Sequence, residues 1–278
     1  MTELDPRLHA FRADLADEAL FGKVESTKLV GGKQQQVTRS ITPVLLRPES
    51  DSPQTSQALR GELCKVFEDR NGYAWVQMHS DGYVGYVESS ALTEIIEVPT
   101  HWVCVPSTLI YPKPDLKSHP VLFITMNAQV RVTSVDGNFA ALSDNGFIFL
   151  KHLMPIGTRH NSFVAVAEQF LHAPYYWGGK SVHGIDCSGL VQIALAATGM
   201  QAPRDSDMQS KQLGTSVNDY ENLQGGDLLF WPGHVGIMQS PTQLIHANGY
   251  FMKVTSEPLK DVIARSDKPI SNIRRLSA

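Results

Sequence analysis

The hydrophobic period of the chain changes near residue 157, and this change limits the folds it can adopt. Between residues 38 and 156 the apolar residues come in short alternating runs, which is the pattern of β-strands. Turn-forming pairs separate these runs: Asn71-Gly72, Asp81-Gly82, Asp136-Gly137 and Asn145-Gly146. After residue 157 two stretches with helical spacing precede further strand-like runs. The sequence therefore predicts all-β modules followed by an α+β domain.

The number of predicted strands divides the front of the chain in two. Residues 38–96 and 97–156 each contain enough strand-sized runs for one small barrel. Residues 157–278 form the predicted α+β domain, and residues 1–37 form an N-terminal segment whose packing on the barrels the sequence leaves open. The predicted fold class is thus multidomain.

Local signals define two helices in the third domain. Ser162 precedes apolar residues at helical spacing and is a typical N-cap residue. Asp186 is a second N-cap candidate, and the helix it opens ends near Gly199. Cys187 then lies in the first helical turn, where unpaired N–H groups and the positive helix end favour the thiolate. An inert buried cysteine is the alternative interpretation.

The composition limits the binding partners and the cellular compartment that we expect for this protein. The 278-residue chain is 42% hydrophobic and 19% charged, with a formal net charge of -4, as in ordinary soluble globular proteins. It has no Lys/Arg run and no apolar stretch near the ~20 residues of a membrane span, so nucleic acid and membrane are excluded as expected partners. Residues 1–20 contain no signal-like apolar region, which predicts a cytoplasmic protein. Three widely spaced cysteines, Cys64, Cys104 and Cys187, argue against a disulfide framework.

Two histidines on predicted strands can complete a site with Cys187. His234 and His246 both lie in apolar runs, so each can equally be a buried core residue. A nucleophilic cysteine needs a base, and the base needs an orienting partner, which is the set these three residues supply. A zinc site made by the same residues is the alternative, although no Cys-x-x-Cys or His-x-x-x-His spacing supports it.

Motifs in the last 120 or so residues resemble the NlpC-type cell-wall cysteine peptidases, whose catalytic domain is papain-like. The segments that carry the resemblance are Pro174-Tyr175-Tyr176-Trp177-Gly178-Gly179, Gly184-Ile185-Asp186-Cys187-Ser188-Gly189-Leu190-Val191, Pro203-Arg204-Asp205-Ser206-Asp207-Met208-Gln209, Gly226-Asp227-Leu228-Leu229-Phe230, Gly233-His234-Val235-Gly236-Ile237 and Ile245-His246-Ala247. The resemblance implies that Cys187 is the nucleophile, His234 the general base and later acid, and His246 the residue that orients His234. It also implies an oxyanion hole made by the Tyr175 hydroxyl and the Cys187 backbone N–H.

The front of the chain is similar to the paired bacterial SH3-like domains of one branch of these enzymes. In that branch the first such domain closes one end of the cleft and restricts the substrate to short peptides with a free N-terminal L-Ala. The similar segments are Ser56-Gln57, Gly61-Glu62 and Asp81-Gly82-Tyr83. The similarity implies that Glu62 and Asp205 bind the substrate ammonium and that Tyr83 lines the closed end. A solvated turn carboxylate at Glu62 and a structural cap at Asp205 are the alternatives.

The resemblance implies a γ-D-glutamyl-L-diamino acid endopeptidase that cleaves free murein tri- and tetrapeptides during cell-wall recycling. The predicted substrate-binding residues are Glu62, Tyr83, Asp186, Ser188, Arg204 and Asp205. The expected enzyme is a cytoplasmic monomer with no metal and no cofactor. Alternatives are an N-acetylmuramoyl-L-alanine amidase or acyltransferase on the same fold, and a wall-binding SH3-like protein.

Overall fold

A computed structural model describes residues 4–217 and 220–276 of the chain. It divides into two compact units, one made of residues 1–103 and 107–156 and the other of residues 104–106 and 157–278. The division after residue 156 falls where the hydrophobic period changes. Each unit has its own sheets, and each is described separately below.

The first unit is built almost entirely from strands. They are β1 (Ala16–Asp17), β2 (Leu29–Val30), β3 (Lys33–Val37), β4 (Ile41–Leu45), β5 (Gln54–Leu59), β6 (Leu63–Arg70), β7 (Tyr73–Met78), β8 (Val84–Glu88), β9 (Leu92–Thr93), β10 (His101–Val103), β11 (Ser107–Ile110), β12 (Leu122–Thr125), β13 (Gln129–Val130), β14 (Val132–Asp136), β15 (Phe139–Leu142), β16 (Phe147–Phe149) and β17 (Leu153–Pro155). Short 3-10 helices occupy Glu18–Leu20, Ser89–Ala91 and Leu150–His152.

Strands β3 to β9 form one seven-stranded sheet in the order β5-β4-β8-β7-β6-β3-β9. Its inner face holds small and β-branched side chains such as Val44, Ala74 and Val76, each 0% exposed. The sequence places the start of this domain at residue 38, but β3 already pairs with β6 and β9. The boundary is therefore too late by one strand, because the polar run Gln34-Gln35-Gln36 hides the strand pattern.

The N-terminal segment packs on this sheet. Ala10 and Leu15 join Phe67 and Trp75 in a buried cluster, and Arg12 lies over the Trp75 ring at 4.4 Å from its centroid. Residues 1–3 of the predicted segment lie outside the described residues. The packing adds a hydrophobic and cation–π contact to the outer face of the sheet.

The remaining strands of the first unit form three smaller sheets. Their orders are β13-β10-β17, β11-β12 and β14-β15-β16. Their buried side chains include Val103, Ile124 and Ile148, all 0% exposed. Residues 97–156 are thus an all-β region, in agreement with the strand pattern of the sequence.

The second unit combines four described helices with a mainly antiparallel sheet. The helices are α1 (Phe163–Glu168), α2 (Cys187–Ala197), α3 (Ser206–Gln212) and α4 (Leu259–Arg265), and the strands are β18 (Lys180–Ser181), β19 (Gly184–Ile185), β20 (Thr215–Ser216), β21 (Leu228–Trp231), β22 (His234–Ser240), β23 (Gln243–Asn248), β24 (Lys253–Pro258) and β25 (Asn272–Arg275). Six strands make one sheet in the order β20-β25-β21-β22-β23-β24, and α2 packs against β22 and β23.

The N-cap predictions for the first two helices are confirmed. The side chain of Ser162 accepts a hydrogen bond from the backbone N–H of Ala165, and that of Asp186 accepts one from Gly189. Among residues 4–217 and 220–276, no helix is long and apolar enough to span a bilayer.

Candidate active site

Cys187 is the first residue of α2, and the loop before it fixes its position. The Asp186 carboxylate caps the helix by accepting from the Gly189 N–H at 2.7 Å, and it also accepts from the Gly178 N–H at 2.8 Å. Helix and loop approach so closely that a Cβ at Gly189 would collide with the Gly179 carbonyl oxygen. The glycine-rich loop is thus a packing requirement of the cysteine-bearing helix.

Arg204 completes the support beneath this loop. It is 1% exposed, and its guanidinium donates to both Asp186 oxygens, at 3.0 and 2.6 Å, and to the Ser188 hydroxyl at 2.9 Å. Such a bidentate pair fixes the carboxylate geometry. The predicted substrate-binding role of Asp186, Ser188 and Arg204 stays a prediction. Their side chains are buried and bind one another, so they position the helix start.

The ionisation of Cys187 differs from the sequence-based expectation. Burial, followed by the nearby Asp186 carboxylate, raises the pKa of the Cys187 thiol to about 12. The backbone N–H groups of Val235 and Ser188 and the Arg204 guanidinium act in the opposite direction but do not outweigh burial. The predicted thiolate is therefore wrong for the free protein. The neutral thiol must transfer its proton when it reacts.

His234 is placed by a tight hairpin. Pro232-Gly233 connects β21 to β22, with Gly233 at φ 82°, so Trp231 and His234 become register partners. The Trp231 ring lies 5.8 Å from the His234 ring, centroid to centroid. Burial lowers the pKa of His234 to about 3. Its imidazole is thus neutral at neutral pH and can accept a proton.

His246 lies on the neighbouring strand and contacts His234 directly. His246 Nδ1 is 2.8 Å from His234 Nε2. His246 Nε2 is 2.8 Å from the Glu257 carboxylate on β24. The backbone N–H of Val235, next to His234, is hydrogen-bonded to the Cys187 sulfur. The structure thus brings His234 and His246 into contact and places the Cys187 sulfur beside the residue that follows His234.

Glu257, the carboxylate next to His246, is the residue of this site that sequence reasoning missed. It lies 11 residues beyond His246 in the chain, and the hairpin register pairs Leu244 with Glu257 and His246 with Thr255. Glu257 and Thr255 are two residues apart and share one face of the sheet with His246. The sequence offered one signal for Glu257: a carboxylate 11 residues after His246, within the run Lys253–Pro258.

Tyr175 lies near the cysteine. Its backbone N–H donates to the Met252 carbonyl at 2.9 Å, and it forms a bridge with Ile185. Burial, and then the proximity of Cys187 and Asp186, raises the pKa of the Tyr175 phenol to about 12. The phenol therefore keeps its proton at neutral pH and remains a hydrogen-bond donor near the sulfur.

The other predicted substrate residues lie in different units. In the first unit, the Glu62 carboxylate accepts from the Leu59 N–H at 2.7 Å, and Tyr83 is 4% exposed within the hydrophobic cluster of the seven-stranded sheet. In the second unit, Asp205 holds the N-cap position of α3, and its carboxylate caps none of that helix's described N–H groups. Their roles toward substrate stay predictions.

We expect Cys187 to be alkylated by iodoacetamide before Cys64 and Cys104. All three thiols are buried, and the Cys187 sulfur lies beside Val235, the residue next to the neutral His234. Because its pKa is raised to about 12, the thiolate fraction grows about tenfold per pH unit below that value. The alkylation rate should therefore rise steadily from about pH 6 to about pH 9.

Peptide mapping after limited labelling measures this result, with Cys104→Ser as the control that keeps the fast reaction. First labelling of Cys64 or Cys104 would contradict the assignment of the reactive thiol. A rate that does not change with pH would contradict the raised pKa.

Comparison with known families agrees with this geometry. Residues 172–267 match the model of the NlpC/P60 family, and residues 45–92 match the bacterial dipeptidyl-peptidase Sh3 domain. The first match contains Cys187, His234, His246, Tyr175 and Glu257. The sequence-based recognition of an NlpC-type peptidase with an SH3-like domain before it is thus confirmed.

Two curated relatives carry the same name. A gamma-D-glutamyl-L-lysine dipeptidyl-peptidase of Bacillus cereus is 30% identical over 200 residues, which are 63% of this chain and 59% of the relative. The protein of that name from Bacillus subtilis is 25% identical over 226 residues, which are 71% of this chain and 73% of the relative. The chain thus matches somewhat more than half the length of the Bacillus cereus relative.

A solved structure shares the fold. The crystal structure of an NlpC/P60 family protein from Bacillus cereus aligns with a TM-score of 0.74 at 22% identity, over 87% of this chain and 99% of that one. At this identity the similarity concerns the fold. The two family matches therefore assign the domains: residues 172–267 form a domain of the NlpC/P60 family, and residues 45–92, before it in the chain, form a bacterial SH3 domain.

Proposed function

We propose that the protein hydrolyses the bond between γ-D-glutamate and the following diamino acid in free murein peptides. The observation that carries the proposal is the His234–His246 contact beside the strand residue that faces the Cys187 sulfur, with the protonated Tyr175 phenol near that sulfur. This arrangement can perform acyl transfer through a thioester. The names of the two Bacillus relatives supply the substrate class.

The reaction begins with a neutral thiol and a neutral imidazole. His234 Nε2 is engaged with His246, so Nδ1 is the nitrogen that takes the proton of the Cys187 thiol as sulfur attacks the γ-carbonyl carbon. Negative charge then develops on the carbonyl oxygen. The Cys187 backbone N–H and the Tyr175 hydroxyl donate to that oxygen and stabilise it.

Collapse of this intermediate breaks the C–N bond. His234, now an imidazolium, donates its proton to the departing amine of the diamino acid. The alanyl-glutamyl group remains on sulfur as a thioester. Water then attacks the thioester while His234 takes a proton from it, which releases the γ-carboxylate and restores the thiol. His246 holds the imidazole in place through both steps.

The proposal also covers the fold of the individual domains and the recognition of the substrate. We take residues 157–278 as a papain-like arrangement, in which a cysteine at a helix start packs against strands that carry the histidines. Residues 97–156 are proposed as a second SH3-like domain. The proposed substrate has an unblocked L-Ala, for which Glu62, Tyr83 and Asp205 are the candidate recognition residues. The proposed setting is the recycling of free peptides in the cytoplasm by a monomer, which cell fractionation and gel filtration test.

We expect the free tripeptide L-Ala-γ-D-Glu-L-Lys to be cleaved far faster than its N-acetyl form. A carboxylate pocket built for an ammonium rejects an analogue that lacks the charge by as much as about 10⁴-fold in kcat/KM. Mass spectrometry of the products measures both rates, with Glu62→Gln and Asp205→Asn as separate variants. Equal rates on the two substrates would contradict the free-amine requirement.

The same assay separates the alternatives. An N-acetylmuramoyl-L-alanine amidase would release the peptide from a muramyl tripeptide without cutting after D-Glu. An acyltransferase would form a new amide when an external amine is added. A wall-binding SH3-like protein would leave every peptide intact.

A further inference from the structure

The His246 ring is backed by a clamped carboxylate. Glu257 Oε1 lies 2.8 Å from His246 Nε2, and Glu257 is 9% exposed. Arg265, the last residue of α4, donates to Oε1 at 2.5 Å and to Oε2 at 2.6 Å. This fork holds the carboxylate plane in one orientation. The Thr255 hydroxyl also lies 3.4 Å from Oε1.

The clamp keeps Glu257 ionised. Burial pushes the pKa of Glu257 upward, but the hydrogen bonds from Arg265 and His246 outweigh it, and the pKa lies below its ordinary value. An ionised carboxylate only accepts hydrogen bonds. His246 Nε2 must therefore carry a hydrogen and donate it to Glu257.

The hydrogen on His246 Nε2 determines the tautomers of both histidines. Burial lowers the pKa of His246 despite the Glu257 contact, so the ring is neutral and its Nδ1 has a lone pair. His246 Nδ1 lies 2.8 Å from His234 Nε2 and must accept from it. His234 then carries its only hydrogen on Nε2. Its Nδ1 therefore carries no hydrogen and can receive the proton of the thiol.

Arg265 is itself fixed by an aromatic turn. Its guanidinium carbon lies 4.7 Å from the centroid of Tyr250 and 5.4 Å from that of Phe251. The two rings meet edge to face at 4.7 Å. Cation–π contacts on one side and the carboxylate on the other leave the guanidinium little freedom. The clamp thus consists of Glu257 on β24, Arg265 on α4, and Tyr250 and Phe251 in the turn before β24.

We propose that Glu257, held by Arg265, is a positioning residue that sets the tautomers of His246 and His234 and so prepares His234 Nδ1 to deprotonate Cys187. The catalytic consequence rests on the proposed function, whereas the tautomers themselves do not. Removing the acceptor allows His246 to carry its hydrogen on Nδ1, which then opposes the His234 Nε2–H. Outer hydrogen-bond partners of functional histidines typically contribute about 10–100-fold.

Two readouts test the proposal in the full chain. Long-range ¹H–¹⁵N NMR of the imidazoles reports which ring nitrogen carries hydrogen, and steady-state kinetics on the free tripeptide separates kcat from KM. We expect Nε2–H on both histidines in the wild type. In Glu257→Leu we expect mixed tautomers of His246, with kcat reduced by about 10–100-fold and KM changed by less than about twofold.

Matched variants exclude a merely structural effect. Glu257→Gln keeps the shape and an oxygen that can accept from His246 Nε2–H, so it should retain more of the wild-type tautomers and kcat than Glu257→Leu. Asp261→Asn removes an exposed carboxylate from the same helix as Arg265 and should change neither readout. Thermal melting shows whether each variant is folded.

Nδ1–H on His246 in the wild type would overturn the proposal, whatever the variants do. Unchanged tautomers and an unchanged kcat in folded Glu257→Leu would overturn it as well. A wild type with the expected tautomers but no hydrolysis of any murein peptide would instead contradict the proposed function, and the positioning of the two histidines would stand.

Discussion

Replacing Cys187 with alanine abolishes hydrolysis while the protein stays folded. In the proposed mechanism the sulfur attacks the carbonyl, and no neighbouring group in the described site replaces it. Loss of a nucleophile in a comparable catalytic set lowers kcat by about 10⁶-fold, so we expect at least about 10⁴-fold here. Steady-state assay of the purified variant on the free tripeptide measures the loss.

The control for this variant is Cys104→Ser, which changes another buried thiol of the second unit. It should retain wild-type kcat, and both variants should melt close to the wild type. Cys187→Ala with more than about one tenth of wild-type turnover would contradict the nucleophile assignment, because a remaining rate of that size is incompatible with a lost nucleophile.

Replacing Arg204 with leucine should destabilise the second unit by about 3–5 kcal/mol, because it leaves the buried Asp186 carboxylate without its cation. Asp186 caps α2 and binds the glycine-rich loop, so activity should fall together with stability. Chemical denaturation followed by a probe of the second unit measures the free energy of unfolding.

Arg159→Leu is the matched control, since Arg159 is an exposed arginine of the same unit and should cost less than about 0.5 kcal/mol. A double variant with Asp186→Asn removes both charges and should be less destabilised than the sum of the single changes. A loss below about 1 kcal/mol in Arg204→Leu alone would show that the buried pair does not support the loop.

Features of the fold that depend on neighbouring residues were predictable from the sequence. Ser162 and Asp186 cap their helices as expected, because capping is decided within three residues of the chain. The strand beginning at His234 and the strand containing His246 were also expected from their apolar runs. The contact between the two histidines followed from the chemistry of a cysteine nucleophile.

Features that depend on tertiary contacts were not predictable. Arg204 is 18 residues from Asp186 in the chain, and only the folded loop shows that the two form a buried pair. The pKa of Cys187 was expected to be low because the helix start was visible in the sequence, whereas the burial that raises it was not. Glu257 and Arg265 were missed because the hairpin register and α4 place them behind His246.

The central claim is that this cysteine peptidase cuts after γ-D-glutamate. Its most direct test is mass spectrometry of L-Ala-γ-D-Glu-L-Lys incubated with the wild type in H₂¹⁸O, beside Cys187→Ala. We predict equal amounts of lysine and L-Ala-D-Glu, with one ¹⁸O in the new γ-carboxylate, and no products with the variant. An intact tripeptide, or release of alanine in place of lysine, would contradict the account.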